Sequence, residues 1–223
     1  MPNFKLYTSP LSPYGHRVEM CLIEKNISFE RIYVDLGNKP DWFVKLSPLG
    51  KAPILQIDNQ VLFESIAICE YLEETFNEAK LHPVNPIEKA LNRGWMDFSN
   101  GLISSIFQLA NTQNKESFEA KILEIQDKIN HFENNLPTTK FFNGDNISII
   151  DICMLSAIIP LAFIESEFAI EINDDEGVFF DYSNNLLSLE NINKIIPNNY
   201  DEIFNGYLTK RNSYLLQLKS KNS

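Results

Sequence analysis

Residues 8–18 read TSPLSPYGHRV and join a predicted strand at residues 4–7 to a predicted helix at residues 14–25. Ser12 stands where a helix N-cap is expected, and Pro13 takes the first helical position, where its missing N–H removes no helical hydrogen bond. Two interpretations of Ser12 stay open from this stretch alone. Its hydroxyl caps the helix and nothing more, or the hydroxyl meets an anion at the positive end of the helix.

Strand-like and helix-like segments alternate around this stretch through the first 76 residues. Alternating apolar residues predict strands, and apolar residues three and four positions apart predict helices. Asp58-Asn59-Gln60 separates two short strands and predicts a hairpin turn. The predicted strands lie at 4–7, 29–34, 53–57 and 61–63, and the predicted helices at 14–25, 40–46 and 65–76. The order β-α-β-α-β-β-α predicts an α/β domain in this half.

Two further segments of this half carry groups that suit a small peptide or carboxylate ligand. In GKAPIL (50–55) the Ala52–Pro53 bond enters a predicted strand and is a plausible cis site, although an ordinary trans proline is the alternative. A cis bond would turn the Ala52 backbone outward to pair with a peptide. Glu64 and Ser65 open the next predicted helix, where free N–H groups and a hydroxyl bind a carboxylate, unless they only cap the helix.

The rest of the chain is predicted to be helical. NEAKLHPVNP (77–86) is polar, contains two prolines and predicts a linker. Ser148 and Asp151 form an S-x-x-D cap at the start of a third helix, residues 165–197 give no clear assignment, and residues 199–210 predict a last helix. The apolar stripes of two long helices are Leu91, Trp95, Phe98, Leu102, Ile106, Leu109 and Phe118, Ile122, Ile125, Ile129, Phe132, Leu136. We predict domains at 1–77 and 87–223, joined by a linker at 78–86.

Charge and composition exclude several classes of function. The chain has 30 acidic and 19 basic residues and a net charge of −11, which disfavours binding to nucleic-acid backbones or anionic membranes. Without a run of 18 apolar residues or a signal-peptide pattern, neither a transmembrane helix nor secretion is predicted. The three cysteines form no CxxC and the three histidines no metal-ligand spacing. We therefore predict a cytoplasmic protein without a metal.

Taken together, these segments resemble cytosolic glutathione S-transferases of the serine type, with likeness to the tau class and to omega-like bacterial members. The most specific pieces are SPYGHRV (12–18), GKAPIL (50–55), ESIAICEYL (64–72) and NISIID (146–151). The resemblance implies a thioredoxin-like N-terminal domain, an all-α C-terminal domain, a homodimer, glutathione as co-substrate and a role in detoxification. Omega enzymes carry Cys-Pro where this chain has Ser12-Pro13, which argues against their thiol-transferase chemistry.

The resemblance also implies roles for individual positions. Ser12 would contact the glutathione sulfur, with Tyr7 and then Ser9 as rivals. Ala52 would pair with the cysteinyl part, Glu64 and Ser65 would hold the γ-glutamyl end, and lysines would meet the glycyl carboxylate. The implied glutathione-binding residues are Ser12, Lys39, Lys51, Ala52, Pro53, Glu64 and Ser65.

A pocket for the second substrate is expected to be an apolar cleft between the domains, because ligand pockets are mostly apolar and often lie at domain interfaces. Its candidates are Tyr14, Phe107 and Gln108, although Phe107 suits a domain core or a dimer interface equally well. His16 is expected to be solvated, since no carboxylate partner is visible in the sequence.

Three functions compete at this point. The first is an enzyme that conjugates glutathione to small apolar electrophiles, and it is the one we predict. The second is a non-enzymatic adaptor of the same fold, resembling the stringent starvation proteins, which tend to lose the glutathione-binding residues. The third is a glutathione-dependent thiol-transferase, which needs a cysteine at the start of the first helix.

Overall fold

The computed structural model describes residues 2–173 and 176–219. The N-terminal half consists of β1 (Phe4–Thr8), α1 (Pro13–Glu24), β2 (Glu30–Tyr33), α2 (Asp41–Leu46), β3 (Ile54–Ile57), β4 (Gln60–Phe63) and α3 (Ser65–Thr75). The sheet order is β2-β1-β3-β4, with β1 parallel to β2 and antiparallel to β3, and β3 antiparallel to β4. The predicted β-α-β-α-β-β-α order is confirmed, and the topology is thioredoxin-like.

α1 packs closely against β1, and this packing fixes the position of the loop that joins them. Gly15, in the first turn of α1, allows this approach, because a Cβ there would lie 1.8 Å from the Oγ1 of Thr8. Thr8 ends β1 and is buried. The loop that carries Ser12 is therefore held directly over the end of the central strand.

The helical half consists of α4 (Pro86–Ala110), α5 (Lys115–Glu133), α6 (Ile149–Phe168), α7 (Val178–Leu187), α8 (Ile192–Ile195), α9 (Tyr200–Lys210) and α10 (Leu215–Lys219). The stretch 165–197, unassigned from the sequence, holds the end of α6 together with α7 and α8. Leu91 was predicted to belong to the apolar stripe of α4, and this is wrong. Its side chain is 62% exposed, like that of Ile87 in the same first turns, whereas Leu102 and Ile106 are fully buried.

α6 is the central helix of this half and packs against α1 and α4. It is long and apolar enough to cross a membrane by length and composition, but 78% of its most apolar window is buried inside the protein. Its N-terminal capping box is formed as predicted, with Asp151 Oδ2 accepting from the backbone N–H of Ser148 at 2.7 Å. Asp151 Oδ1 accepts from the Tyr182 hydroxyl of α7 at 2.7 Å, so the buried cap also joins two helices.

The connection between the halves is fixed by a buried ion pair. Lys25 Nζ lies 2.6 Å from Glu73 Oε2, and both side chains are buried. Lys25 also donates to the carbonyl of Phe76, and Glu73 accepts from the backbone N–H groups of Leu81 and His82. Residues 76–82 are thereby tied to α1 and α3.

Candidate functional site

A cleft of about 1370 Å³ lies between loops of the N-terminal half and two helices of the helical half. Its N-terminal wall is formed by residues of the segments 9–14, 34–39, 47–53 and 63–66, and its helical wall by residues of α4 and α9 with Asn111 and Arg211. The cleft brings together the predicted residues Ser12, Tyr14, Lys39, Lys51, Ala52, Pro53, Glu64, Ser65, Phe107 and Gln108. Tyr7 is not among the lining residues, and its hydroxyl donates to Gln56 Oε1 at 2.9 Å.

Ser12 is both a helix cap and a cleft residue. It takes the extended N-cap conformation of α1, and its Oγ accepts from the backbone N–H of Gly15 at 3.1 Å. That bond uses the oxygen as an acceptor, and the hydroxyl hydrogen has no acceptor among the described residues. The two interpretations of Ser12 are therefore compatible, since the residue can cap α1 and still donate to an anion in the cleft.

The Ala52–Pro53 peptide bond is cis, as predicted. The loop before it is held by Ser47, whose Oγ accepts from the Lys51 N–H at 3.0 Å and donates to the Lys51 carbonyl at 2.8 Å. Within the described part of the chain the Ala52 backbone N–H and C=O make no hydrogen bond. An unpaired backbone edge is thus presented to the cleft, and such an edge suits an extended peptide.

The N-terminus of α3 is left open towards the cleft. Its N-cap residue, Glu64, makes no side-chain cap bond and lies at φ +65°, a left-handed conformation that is strained for a residue other than glycine. Ser65 follows with a buried hydroxyl. The first N–H groups of a helix lack helical partners and carry the positive end of its dipole, so this corner favours a carboxylate.

Behind Ser65 lies a buried guanidinium that the sequence analysis did not single out. Arg17 of α1 is fully buried and donates to Ser65 Oγ at 3.1 Å, Asn100 Oδ1 at 3.0 Å and Ser99 Oγ at 2.9 Å. No carboxylate of the described residues lies within ion-pair distance of it. A buried cation without a counter-ion is costly, and an anion bound at Ser65 would lower that cost. An arginine within the apolar part of a helix was the available signal.

Tyr14 and His16, the two aromatic residues of the first turn of α1, lie in different surroundings. Tyr14 lines the cleft, and burial raises the pKa of its hydroxyl more than the nearby Arg17 lowers it. His16 was expected to be solvated, which is wrong. It is buried against α9, with its ring centroid 6.2 Å from that of Tyr200, and Nε2 is 3.0 Å from the Pro10 carbonyl. Burial lowers the pKa of His16 to about 4, so the imidazole is neutral at pH 7.

The helical wall is mainly apolar and aromatic. Phe107 packs against Phe204 and Tyr207, and Gln108 Nε2 donates to Ser104 Oγ at 3.0 Å. The sequence analysis missed the contribution of α9, whose lining residues include Ile203, Tyr207 and Lys210. Their spacing of three and four was visible in the sequence, but nothing there indicated which partner this face meets. Within the described ranges, no group of three or more His, Cys, Asp or Glu side chains is placed to hold a metal ion.

Comparison with known proteins identifies the family. A family model described as the glutathione S-transferase N-terminal domain matches residues 6–80. A probable glutathione S-transferase of Nicotiana tabacum is 31% identical over 153 residues, which is 68% of both chains. Glutathione S-transferase omega-1 of Rattus norvegicus is 31% identical over 67% of this chain, and that match spans only 63% of the rat protein's length.

Solved structures agree on the fold. A tau class glutathione S-transferase from the mango Mangifera indica superposes with a TM-score of 0.82 at 20% identity, covering 92% of this chain and 97% of that one. A rice glutathione S-transferase solved in complex with glutathione gives a TM-score of 0.80 at 21% identity, covering 96% and 98%. At such identities the likeness shows the fold, and the tobacco relative carries the family assignment. The chain therefore belongs to the glutathione S-transferase family.

Proposed function

We propose that the protein is a glutathione transferase that conjugates the glutathione thiolate to small apolar electrophiles. One observation carries the proposal. A single cleft contains the Ser12 hydroxyl at the start of α1, the unpaired backbone of Ala52 and the open N-terminus of α3 at Ser65. These are a donor for a thiolate, an edge for a peptide and a site for a carboxylate.

The tripeptide fits this arrangement by charge. Its γ-glutamyl carboxylate meets the N-terminus of α3 and the Ser65 hydroxyl, with the charge of Arg17 3.1 Å behind that oxygen. Glu64 accepts from the α-ammonium group. The cysteinyl N–H and C=O pair with the Ala52 backbone, and Lys51 or Lys39 meets the glycyl carboxylate. Both lysines line the cleft, and neither has an ion pair with a described residue.

Donation by Ser12 is sufficient to activate the thiol. With a pKa of about 8.5, only about 3% of a free thiol is thiolate at pH 7, and lowering that pKa by two units requires about 2.7 kcal/mol. A hydrogen bond to a charged sulfur contributes about 1.5–3 kcal/mol, and a helix N-terminus adds about 0.3–1 kcal/mol. Ser12 therefore acts as a donor to the sulfur, and no general base is required.

The competing assignments are weaker on the same geometry. Tyr7 lies outside the lining of the cleft and already donates its hydroxyl proton to Gln56. A thiol-transferase needs an exposed cysteine at the start of α1, whereas Cys21, Cys69 and Cys153 are all buried. An adaptor does not need an open α3 N-terminus beside a buried cation. We further propose a homodimer that acts in the cytoplasm in detoxification, as the resemblance implies.

Calorimetry with glutathione tests the proposal. The wild-type protein is expected to bind glutathione, and Ser65→Ala to weaken binding at least about tenfold, because a hydrogen bond to a charged group is lost. Ser104→Ala is the matched control, since Ser104 lies on the helical wall and is expected to leave glutathione affinity unchanged. Absence of binding by the wild type at tens of millimolar glutathione would remove the enzyme and favour the adaptor.

A further inference from the structure

We propose that Tyr207, Lys210 and Arg211 form a subsite for an acidic oxygen group on the second substrate. The inference rests on the proposed function and narrows its substrate class to aromatic electrophiles that carry a carboxylate. We call these three residues the α9 corner. Tyr207 and Lys210 lie in α9, Arg211 is its C-cap, and all three line the cleft.

The α9 corner is one face of a helix, since residues three and four apart lie side by side on a helix. Ile203, one turn earlier, continues the face, and Ile103 and Phe107 of α4 line the same cleft. Phe107 contacts the Tyr207 ring edge-on at 6.0 Å. An apolar wall thus leads to a polar end, which matches a ligand with an aromatic body and a polar substituent.

The hydrogen bonds of Asn111 leave the Tyr207 proton free. Asn111 Nδ2 donates to the Phe107 carbonyl, which can only accept, and this fixes the orientation of the amide. The same nitrogen lies 2.7 Å from the Tyr207 hydroxyl oxygen, so that oxygen is an acceptor in the pair. The Tyr207 O–H has no acceptor among the described residues, so it is available to donate to an oxygen of a ligand in the cleft.

Two cationic residues, Lys210 and Arg211, line the cleft on the same helix face as Tyr207. The Arg211 guanidinium lies 5.5 Å from the centre of the Tyr207 ring, within the range of a cation–π contact. Lys210 and Arg211 have no ion pair with a described residue, although the chain carries a net charge of −11. Glu202, an acidic residue of the same wall, is eight positions before Lys210, about 12 Å along the helix axis.

The other interpretation of Lys210 and Arg211 is that they only compensate the negative end of the α9 dipole. Compensation of the dipole requires no hydroxyl donor beside the two cations. It also predicts no difference between the rates for anionic and neutral substrates when the cations are removed. A subsite predicts such a distinction, because removal of the charges then affects an anionic substrate and spares a neutral one.

The experiment compares a chlorodinitrobenzoate anion with its uncharged primary amide, each rate divided by its uncatalysed rate with glutathione. Lys210→Gln/Arg211→Gln is expected to lower kcat/KM for the anion about tenfold and for the amide less than about twofold. Tyr207→Phe is expected to lower the anion rate about threefold, since one hydrogen bond is lost. The control is Lys89→Gln/Lys115→Gln, which also removes two positive charges but at residues that do not line the cleft. It is expected to change neither rate by more than about twofold.

A second measurement does not require turnover. Calorimetry with dinitrobenzoate, which lacks the leaving group, is expected to show about tenfold weaker binding to Lys210→Gln/Arg211→Gln than to the wild type. Equal effects of that variant on the anion and the amide, or unchanged dinitrobenzoate binding, would overturn the α9 corner and leave the transferase intact. Loss of the transferase itself would appear separately, as absent glutathione binding and no conjugation of the amide.

Discussion

At the scale of a single residue, the proposed mechanism depends on the hydroxyl hydrogen of Ser12. Ser12 accepts from Gly15 and keeps its proton for the cleft. Ser12→Ala is therefore expected to raise the pKa of bound glutathione thiol by about one to two units. Conjugation of an aryl halide should fall about 10- to 100-fold at neutral pH and partly recover near pH 9, while glutathione affinity changes little. Thiolate absorbance at about 240 nm, titrated with glutathione bound, measures the shift.

Tyr7→Phe is the matched control for that titration. Tyr7 donates to Gln56, so its removal should leave the thiol pKa unchanged. If Tyr7→Phe shifted the titration and Ser12→Ala did not, Ser12 would be reduced to a helix cap that stabilises the protein by about 1 kcal/mol.

At the scale of elements, the position of Ser12 depends on the packing of α1 on β1. Gly15→Ala would place a Cβ 1.8 Å from Thr8 Oγ1, and Thr8 is too buried to move freely. Overpacking of this kind costs about 1–3 kcal/mol. Gly94 of α4 has nothing within 4 Å of its hypothetical Cβ, so Gly94→Ala should instead stabilise by about 0.5–1 kcal/mol.

Denaturant unfolding of both glycine variants measures these changes. Gly15→Ala/Thr8→Ala should recover part of the lost stability, because the nearest atom is removed. Equal stability of Gly15→Ala and Gly94→Ala would show that α1 does not need this close approach to β1.

The elements also show what the sequence can predict. Pro13 and the hairpin turn at Asp58 mark boundaries among the first seven elements, whose order follows from the apolar periodicity, and the Ser148 cap marks the start of α6. Residues 165–197 have no assignment from the sequence because α7 and α8 are stabilised by distant partners. One such partner is the Asp151 carboxylate, which accepts a hydrogen bond from the Tyr182 hydroxyl of α7. No periodicity in the sequence encodes that contact.

The residues of the candidate site also divide into those that the sequence predicted and those that it did not. The sequence motifs beside the strands, Ser12, Ala52–Pro53 and Glu64–Ser65, all line the cleft, and their roles towards glutathione stay predictions. Arg17 and the α9 corner were missed, because their importance comes from which residues they face across the two halves.

At the scale of the whole molecule, stability below neutral pH depends on buried His16. Burial lowers its pKa from 6.5 to about 4. The unfolded state then binds a proton that the folded state does not, so stability falls as pH drops from 6.5 towards 4. Relative to His16→Gln, the wild type should lose up to about 3 kcal/mol across that range.

Glu19 has the opposite effect on the pH dependence of stability, so the wild-type protein has to be compared with His16→Gln. It is buried beside Arg31, and burial raises its pKa from 4.5 to about 7. Its contribution to stability is present below its unfolded pKa and is lost as pH rises through 7. The wild-type curve alone mixes both groups, whereas the difference from His16→Gln in urea unfolding at several pH values isolates the imidazole. A difference that does not vary with pH would contradict the assignment.

The outer surface of the helical half bears on the proposed homodimer. Ile87 and Leu91 lie one turn apart in the first turns of α4 and are 72% and 62% exposed, and Val84, just before the helix, is 95% exposed. Trp95, one turn further along α4, packs against Phe98 and Phe132 inside the half and is not part of this surface. An exposed apolar row of this kind is typical of a surface that another molecule covers.

Light scattering at micromolar concentration tests the dimer and this surface together. The wild type should have twice the chain mass of 25.7 kDa. Ile87→Glu/Leu91→Glu should convert it to monomer, since two buried charges cost more than the interface supplies. Leu123→Glu on α5, also exposed, is the control and should remain dimeric. A wild-type mass near that of one chain would refute the homodimer, whereas a dimer that survives Ile87→Glu/Leu91→Glu would place its interface elsewhere on the molecule.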